Sequence, residues 1–559
     1  MCRTQKRNSK LPQVLDNQSS KIFKEVFLMD VRVRFAPSPT GKVHIGNIRT
    51  AIFNWLFARH TNGEFLLRVE DTDLERSTTE AKEALFDCMK WLGLDYDGEV
   101  LYQTSRAEAH KKAAEALLLE GKAYKMTVNQ GNPPIAFRFP WNLSELSFVR
   151  SAGGVELEVH PELPFVIDSS RVKYAQVSKK GKPVETSACL AGFHSLKLFG
   201  ASGDCVFEIE KEIDAILKDG KTFSFENCSK ISFERHEVFF RDNIKGELAK
   251  PLDSMKDLII VRGDGSPVFH LANVCDDAEQ KVTHIIRGDD HVENTYRHIF
   301  LFDALGFEPP QYAHLPMIVN QHGKPYSKRD GDAFVGDFRD KGFLGEALFN
   351  YLALLGWSPG DDREKMSRNE LVEAFTLERV RSAPSQFDIN KLSNMNGLYI
   401  AEMDSNEFIS ASQKFAAENC PWTEDISADK WGRAASLMQP RTKAFVDVDS
   451  WKYFFLDDLE YHDKTLRKTL KSEDTQNALK VFLEKLEALD SFSSRDVEKA
   501  IRESEALNSL GEGQLNKPLR VAVTALSGGA DIYETLVLVG KEGIKKRVLK
   551  ALSLLQELA

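Results

Sequence analysis

RFAPSPTGKVHIG, residues Arg34 to Gly46, passes from a strand through a proline-punctuated turn into the start of a helix. Around its first residues, Val31 to Phe35 alternates apolar and basic side chains, the period of a half-buried strand. Beyond it, Ile48, Ile52, Trp55 and Leu56 recur at helical spacing, so Gly46 stands near a helix N-terminus. Pro37, Pro39 and Gly41 tighten the turn, Gly46 permits close backbone approach, and the helix dipole favours an anion there. His44 alone would read as a turn histidine that caps a helix. Set between this strand and this helix, His44 and Gly46 predict a phosphate site built partly from backbone N–H groups.

A second segment, GKPYSKRDG (Gly323 to Gly331), carries Lys324, Lys328 and Arg329 on a loop. A lone Ser-Lys-Arg is ordinary solvated surface. Paired with the first segment, Ser327 and Lys328 become candidates for a triphosphate, where a cation can meet the charge that builds as pyrophosphate departs. Arg34, Glu70 and Arg287 each stand at the end of a predicted strand, where open α/β sheets bind ligands. Two guanidinium forks and one carboxylate suit a small amino acid with two carboxylates and one amine; the bland alternative is strand-end ion pairing. The pairs Asp276-Asp277 and Asp289-Asp290 are expected to cap turns or order neighbouring arginines rather than to hold a metal.

The rest of the chain frames these segments. Phe65 to Val69 reads as a second strand, and two helices follow, the second opening with Ser105 to Glu108 as a capping box and closing at Gly121. Strand, helix, strand, helices is the rhythm of a parallel α/β sheet. Near Thr127 the texture changes to short β-branched and aromatic runs, such as Ser178 to Pro183, as far as about Ile244. From Asp257 the rhythm returns with expected strands at Leu258 to Arg262, Val268 to Asn273 and Thr283 to Arg287. A helix near Glu293 to Leu305 and a strand near Leu315 to Val319 complete it. Past Gly345 the pattern is almost entirely helical. The expected divisions are a sheet domain over 30–126 and 246–330, a β-rich insertion over 127–245, and helical regions over 331–400 and 401–559. Residues 1–29 form a disordered or non-native extension, with Met29 as a candidate start.

Composition narrows the classes. A chain of 559 residues exceeds one core, and three or four domains are expected. No apolar run reaches bilayer length, which excludes a membrane helix. Seven scattered cysteines without a CxxC pair argue against a disulfide framework and a zinc ribbon, and fit a reducing cytoplasm. The formal charge of −10 excludes indiscriminate coating of nucleic acid but leaves room for local basic faces.

Taken together, the two segments resemble the HIGH and KMSKS motifs of class I aminoacyl-tRNA synthetases, and the chain is similar to the bacterial glutamyl-tRNA synthetase family. The likeness runs through RVEDTD (Arg68 to Asp73), PVFHLANVCDD (Pro267 to Asp277), HIIRGDDH (His284 to His291), EALFNYLALLGW (Glu346 to Trp357) and PLRVAVTAL (Pro518 to Leu526). Only residues 1–29 and about 127–245 fall outside it. The resemblance implies a Rossmann-like catalytic domain, ATP as substrate with Mg²⁺, and transfer of glutamate to tRNA(Glu) through a glutamyl-adenylate. It further implies a cytoplasmic monomer. Arg34, Ala36, Ser38, Glu70, Phe269, Asn273 and Arg287 would hold glutamate; His44, Gly46, Ser327 and Lys328 would serve ATP, with His44 and Lys328 catalytic. By position, 127–245 would hold the acceptor end, 331–400 the stem and 401–559 the anticodon.

Three departures stand out. Phe269 replaces the family's usual tyrosine, Pro325 replaces the first lysine of the second motif, and no cysteine cluster follows Ala123-Tyr124-Lys125, so no zinc is expected. Five alternatives remain: an enzyme that also charges tRNA(Gln); a glutaminyl-specific relative; a modified-base-specific relative; a small nucleotidyltransferase; and a non-catalytic relative. The long helical half counts against the modified-base reading, and RVEDTD counts against the nucleotidyltransferase.

Overall fold

The computed structural model describes residues 30–73, 75–126, 130–178 and 182–558. The reading of 1–29 and the change of texture at Thr127 lie outside the described residues. In the first half, β1 (Arg32–Phe35) leads through the proline turn into α1 (Ile45–His60), and β2 (Glu64–Val69) returns beside β1 in parallel, Arg34 opposite Leu66. After α2 (Thr79–Trp91), β3 (Leu101–Tyr102) adds in parallel to β2. The expected capping box at Ser105 is absent: the chain enters α3 (Ala107–Leu119) through a 3₁₀ turn, Gln103–Arg106. Ser105 is therefore already inside a helical turn, and its hydroxyl donates back to the Tyr102 carbonyl at 2.6 Å.

A β-rich insertion follows. β4 (Ala123–Lys125) and β5 (Ile135–Phe137) lead to β6 (Val149–Glu158), β7 (Phe165–Ile167), β8 (Arg171–Val177) and β9 (Pro183–Cys189). Then come β10 (His194–Gly200), β11 (Cys205–Glu208), α4 (Ile209–Leu217), β12 (Phe223–Phe225), β13 (Cys228–Asp242) and β14 (Gly246–Pro251). β13 is 15 residues long and takes β6, β10 and β14 antiparallel along its length. Its buried Ile231 and Phe233 pack with Phe165, Phe193 and Leu198 into a core separate from that of the parallel sheet.

The insertion is stitched to its parent at both ends. β15 (Leu258–Val261) pairs with β5, which pairs with β4. After α5 (Phe269–Glu279), β16 (His284–Gly288), α6 (Val292–Ala304) and β17 (Gln311–Leu315), the sheet closes: β16 and β17 are parallel, and Thr283 N–H donates to Arg32 O at 2.9 Å, laying β16 beside β1. Neighbours thus run β3, β2, β1, β16, β17, the order of a Rossmann-like sheet. Asp242, the last residue of β13, pairs in parallel with Tyr312 of β17, so the longest strand of the insertion abuts the edge of this sheet.

Two expectations are corrected here. Val268 to Asn273 is not a strand: α5 spans it, because a short apolar run fits either period. In the helix, Leu271 and Val274 turn into the core, while Phe269, Asn273 and Asp277 fall at i, i+4 and i+8 on another face. The strand expected at Leu315 to Val319 ends at Leu315. Pro316 cannot extend a hydrogen-bonded ladder, and a separate two-residue strand, β18 (Ile318–Val319), follows.

The chain divides into two compact units, one running to Phe334 and resuming over Leu352–Phe387, the other comprising Val335–Tyr351 and the chain from Asp388 onward. The segment 331–400 is therefore shared between them. The second unit is helical and has two cores, one around Trp431, Trp451 and Phe408, the other around Phe482, Leu519 and Ile544. Among the described residues no helix is long and apolar enough to cross a membrane.

β1 and β2 are held in register by the turn before β2. A Cβ added at Gly63 would stand 2.3 Å from Val31 O. Gly63→Ala should therefore shift this register and lower the stability of the first unit by about 1–3 kcal/mol. A denaturant midpoint equal to that of the parent would contradict the packing argument.

Candidate active site

The carboxyl ends of β1, β2 and β16 surround a cavity of about 710 Å³. Arg34, Ala36 and Ser38 enter it from β1 and its turn, and His44 and Gly46 from the head of α1. Glu70 comes from the end of β2, Phe269 and Asn273 from α5, and Arg287 from β16. Nine residues that sequence reading assigned to substrate or ATP thus share one cavity. Ser327 and Lys328 do not line it, although Pro325 and Tyr326 do.

One buried carboxylate organises the amino-acid end. Asp277 accepts from Arg34 Nε at 3.0 Å and from Arg68 Nη1 at 2.7 Å. Asp277 and Arg68 are fully buried and Arg34 is 4% exposed. Burial alone would raise the Asp277 carboxyl, but Arg34 and Arg68 outweigh it and hold it below the usual aspartate range. Arg68 also reaches Glu70, 3.6 Å from Nη2 to Oε1, and Glu70 accepts from Asn273 Nδ2 at 2.9 Å. Burial pushes the Glu70 carboxyl upward despite Arg68 and Arg34. An arriving ammonium group would favour its charged form again. Asn273 Oδ1 is buried with no partner among the described residues, a second acceptor for such a group.

Arg287 differs from the other arginines. It is buried, and no carboxylate pairs with it among the described residues; its neighbours are the Thr295 hydroxyl, the His291 carbonyl and the His314 ring. Burial lowers its guanidinium to about 10, so it remains charged at neutral pH. An unpaired buried cation on a cavity wall is an anion site awaiting its anion.

The phosphate end departs from expectation. His44 is the N-cap of α1, and its Nδ1 accepts from Gly46 N–H at 3.1 Å. Ile45 N–H donates to Ala333 O at 3.0 Å, and Asn47 and Ile48 N–H both donate to His44 O. The first four N–H groups are therefore occupied, and the backbone cradle predicted at Gly46 is absent from this structure. What remains is the dipole of a 16-residue helix and the imidazole. Burial lowers the His44 pKa, outweighing a hydrogen bond that the ring donates to the Tyr326 backbone carbonyl. That contact, and a His44–Phe334 edge-to-face ring pair with centroids 5.9 Å apart, join the two sequence motifs.

Lys328 opens a single 3₁₀ turn, Lys328–Asp330, and is exposed. Ser327 is engaged elsewhere: its N–H and Oγ both donate to Asp330 Oδ2, at 3.0 and 2.9 Å. Tyr326 N–H donates to Ile318 O and Asn320 N–H to Lys324 O, making a hairpin of the approach to the turn.

Of the acidic residues expected to cap turns or order arginines, Asp277 holds two arginines, and the others have different partners. Besides Asp277, Asp276 accepts from His110 and Gln103, and Asp289 pairs with Lys245 at 2.9 Å. No group of three or more His, Cys, Asp or Glu side chains among the described residues is arranged to hold a metal. Sequence reading gave no role to Arg49, His291 and Asn294, which also line the cavity. Burial, then Arg287, lowers the His291 pKa to about 4. The string HIIRGDDH contained His291, but nothing in its spacing distinguished it from a surface histidine.

Comparison with known proteins agrees with this geometry. The family "tRNA synthetases class I (E and Q), catalytic domain" matches residues 30–132 and 208–394, and "Anticodon binding domain" matches 408–552. The unmatched stretch 133–207 is shorter than the insertion read from sequence. The chain is 33% identical over 532 residues to "Glutamate--tRNA ligase 2" of Thermoanaerobacter pseudethanolicus, covering 95% of this chain and 100% of that protein. It is 36% identical over 523 residues to "Glutamate--tRNA ligase" of Thermodesulfovibrio yellowstonii, covering 93% and 98%. A crystal structure of a glutamate tRNA ligase from Elizabethkingia meningosepticum, in complex with its amino acid, superposes with a TM-score of 0.67 at 26% identity, covering 94% of this chain and all of that one.

Removing the Asp277 charge strands two buried guanidinium groups. Asp277→Asn is expected to cost about 3–5 kcal/mol of unfolding free energy. Because the folded carboxyl sits below the usual value, its contribution is complete above about pH 3.9 and fades as pH falls through the lower folded value. The variant should therefore lose part of the stability decline that the parent shows below about pH 4; a loss under 1 kcal/mol with an unchanged acid limb would contradict this role.

Proposed function

The chain belongs to the class I tRNA synthetases of the glutamate and glutamine group, and from that membership we propose that it is the ATP-dependent ligase that joins L-glutamate to tRNA(Glu). One observation carries the choice of amino acid. At the amino-acid end, Arg34 and Arg287 line the cavity against Glu70, with the Arg68–Asp277 pair balanced behind them, so one positive charge is left over there. Glutamate, with two carboxylates and one ammonium, supplies the missing negative charge. Its carboxylates suit the guanidinium groups of Arg34 and Arg287, and its ammonium suits Glu70 and the unpaired Asn273 Oδ1.

The reaction then follows from placement. The α-carboxylate attacks the α-phosphate of ATP, pyrophosphate leaves, and a ribose hydroxyl of the terminal adenosine next attacks the mixed anhydride, releasing AMP. No enzyme nucleophile is needed; alignment in the cavity and charge stabilisation carry the rate. Mg²⁺ enters as part of the ATP substrate and keeps most of its water. His44 faces the phosphates from the head of α1, and Lys328, exposed two residues beyond Tyr326, is assigned to the departing pyrophosphate once its turn swings over the cavity. The β-rich insertion is assigned to the acceptor end and the helical unit to the stem and anticodon, the latter supported by the anticodon-domain match. The working form is a cytoplasmic monomer without structural zinc. Phe269 places a ring, and no hydroxyl, on the substrate wall.

Lys328→Ala should lower tRNA-dependent ATP–pyrophosphate exchange by roughly 10²–10³-fold while leaving the unfolding midpoint in place. Near-parental exchange would remove Lys328 from the mechanism. Arg287→Ala should raise the KM for glutamate by about tenfold or more, the worth of one charged hydrogen bond, with little change for ATP. Equal effects on both substrates would contradict its assignment. Charging purified tRNA(Glu) and tRNA(Gln) in parallel tests the whole: glutamylation of tRNA(Glu) is expected, and acylation of neither would overturn the proposal.

A further inference from the structure

Arg287 is held from behind by a chain of neutral and charged groups that the reaction itself does not use. Its Nη2 donates to Thr295 Oγ1 at 2.6 Å and its Nε to His314 Nε2 at 3.3 Å. Thr295 Oγ1 and His314 Nε2 are 3.0 Å apart. On the other edge of the ring, His314 Nδ1 lies 2.6 Å from Asp242 Oδ2, and the His314 backbone N–H donates to the same carboxylate at 3.0 Å. Thr295 and His314 are completely buried and Asp242 is 2% exposed.

Hydrogen-bond direction assigns the protons in this chain. Asp242, an acceptor, fixes a proton on His314 Nδ1. Nε2 must then present its lone pair to Arg287 Nε–H, and the Thr295 hydroxyl proton is shared between Nε2 at 3.0 Å and the His291 carbonyl at 3.4 Å. Thr295 Oγ1 keeps its own lone pairs for Arg287 Nη2. Burial lowers the His314 pKa, with Asp242 pulling upward, which keeps the ring in this neutral form. The guanidinium is thereby fixed through two of its three nitrogens, and Nη1 is left with no protein partner among the described residues.

Asp242 is also the last residue of β13, where its Oδ1 accepts from the backbone N–H groups of Ile244 and Lys245 at 2.9 and 2.8 Å. The same carboxylate that closes the longest strand of the insertion therefore sets the ring that sets Arg287. We propose that Asp242, His314 and Thr295 are positioning residues for glutamate, aiming the Arg287 guanidinium at a substrate carboxylate and tying that aim to the end of β13. The inference rests on the ligase reading above, in which Arg287 receives that carboxylate.

The test uses the full-length enzyme in tRNA-dependent ATP–pyrophosphate exchange, with unfolding midpoints measured alongside. Thr295→Val removes the hydroxyl at nearly constant volume and should raise the KM for glutamate by about tenfold while the KM for ATP and the midpoint stay at the parental values. Thr295→Ser keeps the hydroxyl and should restore glutamate affinity. At the ring, His314→Gln can return an acceptor near the Nε2 position, whereas His314→Asn reaches only the Nδ1 position; the Gln variant should therefore bind glutamate more tightly than the Asn variant. A parental glutamate KM in Thr295→Val overturns the proposal, as does a rise in both KM values together with a fallen midpoint, which would mark a purely structural role. Absence of glutamate-dependent exchange in the unaltered enzyme would remove this inference and the ligase reading together, so the two failures are distinguishable.

Discussion

Three chain segments that share no local sequence meet at one carboxylate. Asp277 on α5 accepts from Arg34 on β1 and from Arg68 on β2, and it is fully buried. Burying a charge this deeply is tolerated only because two guanidinium groups and their hydrogen bonds surround it. The arrangement fixes more than packing. It sets the direction from which Arg34 enters the cavity, and through Arg68 and Asn273 it sets Glu70 as well. With Glu70 counted beside Asp277, two cations meet two anions, so the network is balanced before any ligand arrives. Arg287 supplies the excess from the neighbouring strand. In the proposed reading, a neutral amino acid would leave a buried guanidinium unmatched, which is the physical reason for the site to favour an acidic one.

Topology supplies the convergence. In a parallel sheet every strand ends on the same edge, so residues at the ends of β1, β2 and β16 come together whatever their distance in sequence. α5 contributes by period: Phe269, Asn273 and Asp277 recur every fourth residue, which directs them to one face while Leu271 and Val274 fill the core. The β-rich insertion does not interrupt this geometry, because β15 pairs back onto β5 and β13 ends against β17. Its attachment at Asp242 passes through buried hydrogen bonds to the wall that holds Arg287.

How much of this was legible beforehand follows from the range of each interaction. The strand-turn-helix at Arg34 to Gly46, the strand ends at Glu70 and Arg287 and the helical second half all left local patterns, and the structure agrees with them. Asp277 was legible only as one of several acidic pairs, since its partners lie 243 and 209 residues away. The Asp242–His314 pair, 72 residues apart, left no signal at all. The misread strand at Val268 to Asn273 has a different cause: six mostly apolar residues satisfy both periods, and the deciding information lay in the next turn, where Asp276 and Asp277 are buried too. At Gly46 the motif was legible and the cap was not, because the side chain that takes the N–H lies two residues away in the turn.

That cap bears on how the phosphate end must work. With the first N–H groups of α1 already satisfied, the helix offers a field rather than a set of donors, and discrete positive charge has to come from elsewhere. Lys328 is the candidate that the second motif offers, yet it lies exposed, outside the cavity wall. Keeping that ammonium in water costs nothing while the site is empty, whereas burying it beside an already cationic cavity would add repulsion and desolvation. ATP reverses the sign of that balance by bringing its own negative charge. Asp330 clamps the turn, accepting from Ser327 N–H and Oγ and from Asn320 Nδ2 at 2.6 Å, and Gly323 and Gly331, both at positive φ, bracket it. Under the proposed assignment, a Lys328 charge that enters only with the phosphates would act where the reaction needs it and would not compete with Arg34 and Arg287 for the amino acid.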